Sequence, residues 1–340
     1  MLLSLVVLVG CSVPNGGTSV EIAITSAESD APGGVRAAID AANATVVPVR
    51  ILSRLPPATE IRIARELPPL AGREVDLHAR GLVLAEDAAG CVRSDGRKGC
   101  SGLVVTGQKI VVRELAATGF LFDGVSVRGA KGLRILDGHF YRNLDDGIGI
   151  SDHADDVEIA GCLLEGNGFR SKGKGVLVFD HSHALLRSNR IVGNRDGVTV
   201  SKRSHAVLEG NEILDSYDKG FGVTGASATA SEDRIVGSGA GRTPEGEGPN
   251  ADGVRASLDA SIELHGVVVT ESGDAGVVAA DDSRIRVVGS TIARNKGGDV
   301  RATERALVVV DDREIRGRDY GKPPPLKPPA PSRSDRARRP

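Results

Sequence analysis

Between Gly147 and Lys219 the chain alternates apolar and polar positions in three short runs, and the arrangement returns three times. The units read GIGISDHADDVEIAGCLLEGNGFRSKGK, GVLVFDHSHALLRSNRIVGNRD and GVTVSKRSHAVLEGNEILDSYDK. Each opens with Gly, apolar, any residue, apolar, then turns through a polar corner into a second alternation and a third short apolar pair. A period of two predicts strands, and a helical repeat would show 3.6 instead. Three strands joined by corners predict one triangular coil per unit. Unit starts fall at Gly102, Gly124, Gly147, Gly175, Gly197, Gly220, Gly253, Gly276 and Asp299, with spacings of 22, 23, 28, 22, 23, 33, 23 and 23 residues. A repeat of this length is the mark of stacked units, none of which buries its own apolar face. The leucine pattern that a leucine-rich repeat of similar length needs is missing. The expected fold is therefore all-β, a single-stranded parallel β-helix of 22–23-residue coils.

Stacked coils place equivalent positions in columns along the axis. One column pairs inward apolar residues: Val125 with Val127, Ile148 with Ile150, Val176 with Val178, Val198 with Val200, Phe221 with Val223, Val254 with Ala256 and Val277 with Ala279. Cys162, Asn189, Asn211 and Asp233 form a second. Asn143, Asn167, Asn194, Ser216, Ser238, Ser272 and Asn295 form a third. Asn and Ser at corners satisfy backbone groups and one another. Cys162 then reads as a small buried filler.

Before the clean repeat, residues 49–115 carry irregular strands (VRIL, EIRIA, EVDLHA, GLVLA, GLVVTG, KIVVREL) punctuated by Pro56, Pro57, Pro68 and Pro69. Ahead of them Val35, Ala38, Ile39 and Ala42 fall at helical spacing, predicting one short amphipathic helix that caps the open end of the first coil. Residues 12–31 read as a tether running into a first strand at Val20 to Ile24. The coil region spans 32–317, and the Pro-rich, basic residues 318–340 read as a disordered tail. A sharper reading of that tail is a contact with anionic envelope polymers.

Composition narrows the class. With 44 Gly, 3% aromatics and no Trp, the interior is one of Val, Ile, Leu and Ala, as in a narrow stacked coil. A formal charge of −2 gives no field to draw nucleic acid, so electrostatic recognition must be local. The expected partner is a polysaccharide or an envelope component, with the protein acting as a monomer.

The opening MLLSLVVLVGC is too short to span a bilayer. Its last four residues, Leu8, Val9, Gly10 and Cys11, resemble the lipobox of a bacterial lipoprotein signal peptide. The resemblance implies removal of residues 1–10, lipidation of Cys11 and, from the Ser12 that follows, an outer-membrane lipoprotein. A plain secretory signal or a buried strand stays open, and the protein is secreted where lipidation is absent. Export permits disulfides, and Cys91 and Cys100 bracket a polar loop that a bridge would close. Two thiols with no nearby His make a poor zinc site.

Units of the form DGIGI…VEIAGCLLEGN and DGVTV…AVLEGNEILDS resemble the right-handed parallel β-helix repeats of pectate-lyase-like proteins, and VRAAIDAANA resembles their N-terminal capping stretch. The resemblance implies a right-handed coil. It leaves function open, because this superfold hosts lyases, hydrolases, epimerases and proteins with no activity.

Two units carry extra residues just before the next Gly, GFRSKGK at 168–174 and GAGRTPEGEGPNAD at 239–252. Insertions on one side mark a working face. Between them the outward residues Gly149, Leu177, Thr199 and Gly222 predict a shallow floor. On one side of it stand Asp146, Lys174, Asp196, Lys219 and Asp252, which read as a register-fixing charge ladder in the turns. On the other side stack Asp152 on Asp180 on Lys202, and His153 on His181 on Arg203. Proton abstraction beside a sugar carboxylate needs such a set. Lys202 or Arg203 neutralises a uronate, His181 or His153 takes the proton, and Asp152 and Asp180 orient a His or bind Ca²⁺. Uronan lyases and epimerases of this fold use related groups on this face, and SDHADD is loosely similar to the Asp-Pro-His-Asp motif of alginate epimerases. No other cofactor is expected. Leu177, Phe179 and Thr199 are the expected substrate contacts, with Phe179 either meeting sugar or packing under the loop at 168–174. Two functions remain: a uronan lyase or epimerase, and a non-catalytic scaffold of the cell envelope.

Overall fold

The computed structural model describes residues 9–12, 18–169, 173–239 and 251–317. The expected segments at Met1–Leu8 and in the tail at 318–340, together with 170–172 of the first long loop and 240–250 of the second, lie outside the described residues. The chain winds as a right-handed parallel β-helix with three sheets of 14, 9 and 10 strands. Nearly all neighbours pair in parallel, and each strand pairs with its equivalent one coil away. The first face runs through Leu103–Val105, Val125–Arg128, Ile148–Ser151, Lys174–Val178, Asp196–Ser201, Phe221–Thr224, Val254–Ser257, Val277–Ala279 and Val300–Ala302. Its register aligns Val125, Ile148, Val176, Val198, Phe221, Val254 and Val277, the alignment the repeat predicts. All seven are fully buried.

The helix Val35–Asn43 buries Val35, Ala38, Ile39 and Ala42 against the first coil. At the far end Leu307–Val310 and Arg313–Arg316 form an antiparallel hairpin that closes the 14-stranded sheet. Near the start, Val9–Ser12 pairs antiparallel with Thr18–Ile24, placing Cys11 opposite Ser19. Cys91 and Cys100 are joined by a disulfide and buried.

Side-chain ladders hold the corners. Cys162 N–H donates to Asn189 Oδ1 at 2.9 Å, Asn189 N–H to Asn211 Oδ1 at 3.0 Å and Asn211 N–H to Asp233 Oδ1 at 2.6 Å. The third column does the same through Asn143, Asn167 and Asn194. Its serines differ: Ser216, Ser238 and Ser272 are buried with hydroxyls that have no hydrogen-bond partner. At this corner a hydroxyl falls short of the preceding coil, which the longer Asn side chain reaches. Cys162 is buried, and burial pushes its thiol up to about 12. Such a thiol is an inert filler and not a nucleophile.

Candidate functional site

The rim of the first face is built by the residues at the start of each strand or just before it. Three of its aspartates each use one carboxylate oxygen on a backbone amide of the next coil. Asp146 Oδ1 accepts from Lys174 N–H at 2.6 Å, Asp196 Oδ1 from Lys219 N–H at 3.4 Å and Asp252 Oδ1 from Ala275 N–H at 3.2 Å. These bonds fix register. The second oxygen of each remains on the outer side. Asp196 Oδ2 lies 3.8 Å from Lys174 Nζ and 3.6 Å from Lys219 Nζ, and accepts from the Thr199 hydroxyl at 3.5 Å. Asp252 Oδ2 holds Arg255 Nη1 at 2.8 Å. Burial pushes the Asp252 carboxyl up, against the pull of Arg255.

The rim leans over the floor. A Cβ on Gly222 would stand 3.4 Å from Lys219 Cε, so that lysine lies across the glycine. The result is a groove of about 390 Å³ lined by Lys174, Arg195, Asp196, Asp218, Lys219 and Arg255 over Thr199 and Gly222, with Thr224 and Ser257 on the far side. Four cations face two carboxylates among these residues. Such a groove suits an anionic ligand rich in hydroxyls.

Toward the N-terminal end, acids crowd the same face. A Cβ on Gly149 would lie 3.0 Å from Asp123 Oδ2 and 3.4 Å from Asp146 Oδ2. Desolvation, and then the Asp145 carboxylate, push Asp123 up to about 7. Burial, then Asp123 and Asp145, hold Asp146 well above the usual carboxylate range. Burial and the repulsion among these acids thus favour the protonated form of a carboxyl in this group.

On the opposite side of the face the six residues expected to be catalytic stack as their spacing predicts. His153 N–H donates to Asp180 O, His181 N–H to Lys202 O and Arg203 N–H to Gly225 O. The His153 and His181 rings lie parallel, 5.0 Å apart, and His181 Nδ1 is 3.1 Å from Asp180 Oδ1. Nearby, Asp155 accepts from His183 Nδ1 at 2.8 Å, which holds its carboxyl below the usual range. None of the six lines the groove. They form its neighbouring corner, and every one has a positive φ, from 54° at Asp180 to 61° at His153. Among L residues Asp and His are enriched in that conformation, so the corner's backbone accounts for part of its composition.

The three expected ligand contacts fare differently. Thr199 is on the groove floor. Leu177, in register between Gly149 and Thr199, is half-buried one coil away. Phe179 is half-buried beneath Lys202, whose Nζ is 6.0 Å from the ring centroid. The base of the loop at 168–174 packs elsewhere, with Phe169 set edge-on to Tyr217. Among the described residues no group of three or more His, Cys, Asp or Glu is placed to hold a metal ion.

Sequence reasoning missed Arg195, Asp218, Arg255, Thr224 and Ser257. A signal for Arg255 existed: the floor column Gly149, Leu177, Thr199, Gly222 continues to Arg255 once the 33-residue unit is crossed.

The family model for the right-handed beta helix region matches residues 101–250. No curated protein matches the chain in sequence. Among solved structures, the A-module of the Azotobacter vinelandii mannuronan C-5 epimerase AlgE6 is similar at 13% identity, with 86% of this chain and 83% of that one covered and a TM-score of 0.57. Tailspike protein 2 of the Escherichia coli O157:H7 bacteriophage CAB120 is similar at 10% identity over 81% of this chain and 40% of that one, TM-score 0.58. Pectate lyase Pel9A is similar at 12% identity over 84% and 75%, TM-score 0.50. At these identities the likeness is one of fold.

Proposed function

We propose that the protein is an exported, lipid-anchored β-helix that engages an acidic polysaccharide of the cell envelope or its surroundings in the groove of the first face. The observation that carries this reading is the placement of Lys174, Lys219 and Arg255 over a floor of Thr199 and Gly222. Fixed ammonium and guanidinium groups meet sugar carboxylates, while Thr199, Thr224, Ser257 and the aspartate oxygens meet hydroxyls. The fold supports the choice of polymer, since similar structures include a mannuronan epimerase module and a pectate lyase. The anchor is Cys11, and incorporation of labelled fatty acid into wild type but not Cys11→Ala tests it.

A second reading adds chemistry, that of a uronan lyase or C5-epimerase. The Asp180–His181 hydrogen bond favours it, because an oriented imidazole is a competent base for the proton next to a sugar carboxylate. Here Lys202 and Arg203 neutralise the carboxylate and His153 stacks behind His181. The experiment is to incubate the purified protein with a panel of uronans, with and without Ca²⁺, and to follow retention of polymer, unsaturated products and epimer ratio. Retention of at least one acidic polymer is expected. Turnover lost in His181→Ala supports the second reading. Turnover absent from wild type removes it, and failure to retain any acidic polymer removes the first.

A further inference from the structure

The turn between the first face and the 14-stranded sheet stands up as a ridge, and one coil breaks it. Ser201, Thr224 and Ser257 share a register position on the first face, and His205, Ser227 and Ser261 share one on the next sheet. In the outer two of these coils three residues separate the positions, 202–204 and 258–260, and in the coil between them only Gly225 and Ala226 do. Each longer turn has two residues at positive φ, Lys202 with Arg203 and Leu258 with Asp259, while the short one has Gly225 alone, at φ 54°. The ridge therefore has a notch, and its walls stand about 10 Å apart because strands stack about 4.8 Å apart. Lys202 lies over Phe179, on the side away from the notch, and Leu258 on the other wall is 60% exposed. Thr224 and Ser257, on the far side of the groove, lead directly into it.

At the foot of the notch Ser227 opens the strand Ser227–Ser231, whose Ala228 and Ala230 point inward, so the serine side chain is on the outer surface. Its Oγ lies 2.9 Å from His205 Nδ1. Burial, and then the neighbouring His183, lower the pKa of His205, which leaves a neutral imidazole able to accept a proton. His183 stands edge-on to His205, with ring centroids 6.4 Å apart, and is itself held by Asp155 at 2.8 Å. Asp155, His183, His205 and Ser227 are thus linked in that order over four successive coils. A hydroxyl within hydrogen-bond reach of a neutral imidazole, which a further polar group orients, is the arrangement of an activated nucleophile.

We propose that Ser227 and His205 are the nucleophile and base of a second site, which hydrolyses a short acyl ester entering at the notch. Ser227 Oγ attacks the ester carbonyl carbon as its proton passes to His205 Nδ1. Ser261, next in register, offers its hydroxyl to the developing oxyanion. The bond from the carbonyl carbon to the alcohol oxygen breaks, and that oxygen leaves with the proton from His205. Water then attacks the acyl-serine, gives its proton to His205, and releases the carboxylic acid as Ser227 Oγ takes the proton back. The one apolar wall, Leu258, and the small width of the notch suit an acyl group of acetyl size. Continuity with the groove makes an O-acylated form of the groove's ligand one source of the ester, a source that rests on reading the groove as a polysaccharide site.

The test treats the full chain with a fluorophosphonate probe, locates the label by peptide mass spectrometry, and follows p-nitrophenyl acetate hydrolysis alongside. Wild type is labelled at Ser227, and Ser227→Ala loses both label and turnover. His205→Ala slows both on the order of 100-fold. His205→Gln, which keeps a polar group toward Ser227 but takes up no proton, slows them equally and serves where the alanine variant folds poorly. Acetate released from an O-acetylated uronan faster than from p-nitrophenyl acetate assigns the ester to the groove's polymer, whereas turnover of the small ester alone keeps the pair and removes that source. No label at Ser227 in wild type, or a labelling rate that neither His205 variant changes, overturns the inference. Retention of acidic polymer by the same samples is scored separately, so the groove reading stands or falls on its own.

Discussion

The rim and the corner flank the same sheet, and both are columns of charged residues repeated coil after coil, yet they differ in what the backbone asks of them. Corner residues adopt positive φ, a conformation that restricts which side chains fit before any ligand is considered. His153, His181 and Lys202 project into solvent from that turn. Rim residues carry no such demand. Asp146, Asp196 and Asp252 each use one oxygen to hold the next coil and keep the other on the outer side, where Lys174, Lys219 and Arg255 gather. In a solenoid every column has a structural reason, so the informative residue is the one whose chemistry exceeds that reason. By that measure the rim carries more than the corner.

The strongest way to break this comparison is to remove the rim cations. A hydrogen bond to a charged group contributes about 1.5 to 3 kcal/mol, so the double variant Lys174→Ala, Lys219→Ala should lose on the order of 100-fold or more in affinity for a retained acidic polymer. The matched corner variant, Lys202→Ala with Arg203→Ala, should stay within about threefold, since exposed charges contribute little. Calorimetry on both at one salt concentration decides. The reverse order would move the site to the corner.

How much of this was legible in the sequence depends on what each residue does. The register was fully legible, because Gly and paired apolar residues recur at fixed spacing and burial demands that they stack. The helix was legible in Val35, Ala38, Ile39 and Ala42, and the Asn columns in their position before the Gly. The groove was only half legible. Thr199 and Gly222 follow from alternation, but the tilt of Lys219 across Gly222 depends on side-chain packing that no spacing encodes. The pairing of Asp252 with Arg255 was hidden by the long insertion between their unit and the one before. The Ser hydroxyls at Ser216, Ser238 and Ser272 looked equivalent to Asn and are not, because reach across a coil is a matter of length rather than polarity.

A second prediction sharpens the contrast from the inside, where a carboxylate has only a structural role. Asp233 ends the Asn column, is 1% exposed, and its Oδ2 has no partner. Burial pushes its carboxyl up to about 6. In the two coils before it, Asn189 and Asn211 donate Nδ2–H to Ile159 O and Leu186 O, and Leu208 is next in that register. Between about pH 4 and pH 6 the folded state holds a proton that the unfolded chain releases, so stability falls as pH rises through that window. Asp233→Asn replaces the orphan oxygen with a donor placed toward Leu208 O. It should flatten the slope and stabilise the protein at pH 7 by at most about 3 kcal/mol, with polymer binding unchanged. Urea unfolding at pH 4 and pH 7 measures it, and a wild-type slope that survives the substitution would refute the assignment.

The smallest effect separates turn chemistry from function at the corner itself. His181 has φ 58° and an exposed side chain, so its backbone favours Gly over Ala by about 1 kcal/mol. His181→Gly should therefore be more stable than His181→Ala by about that amount in urea unfolding, although both lose the ring stacked on His153 and the bond to Asp180. If the corner is only a turn, both variants bind polymer as wild type does and differ in stability alone. If His181 is a base, both lose turnover equally whatever their stability, because Gly restores the backbone and not the imidazole. Equal stability of the two variants would mean that the turn does not explain the column, and the histidines would then need a reason of their own.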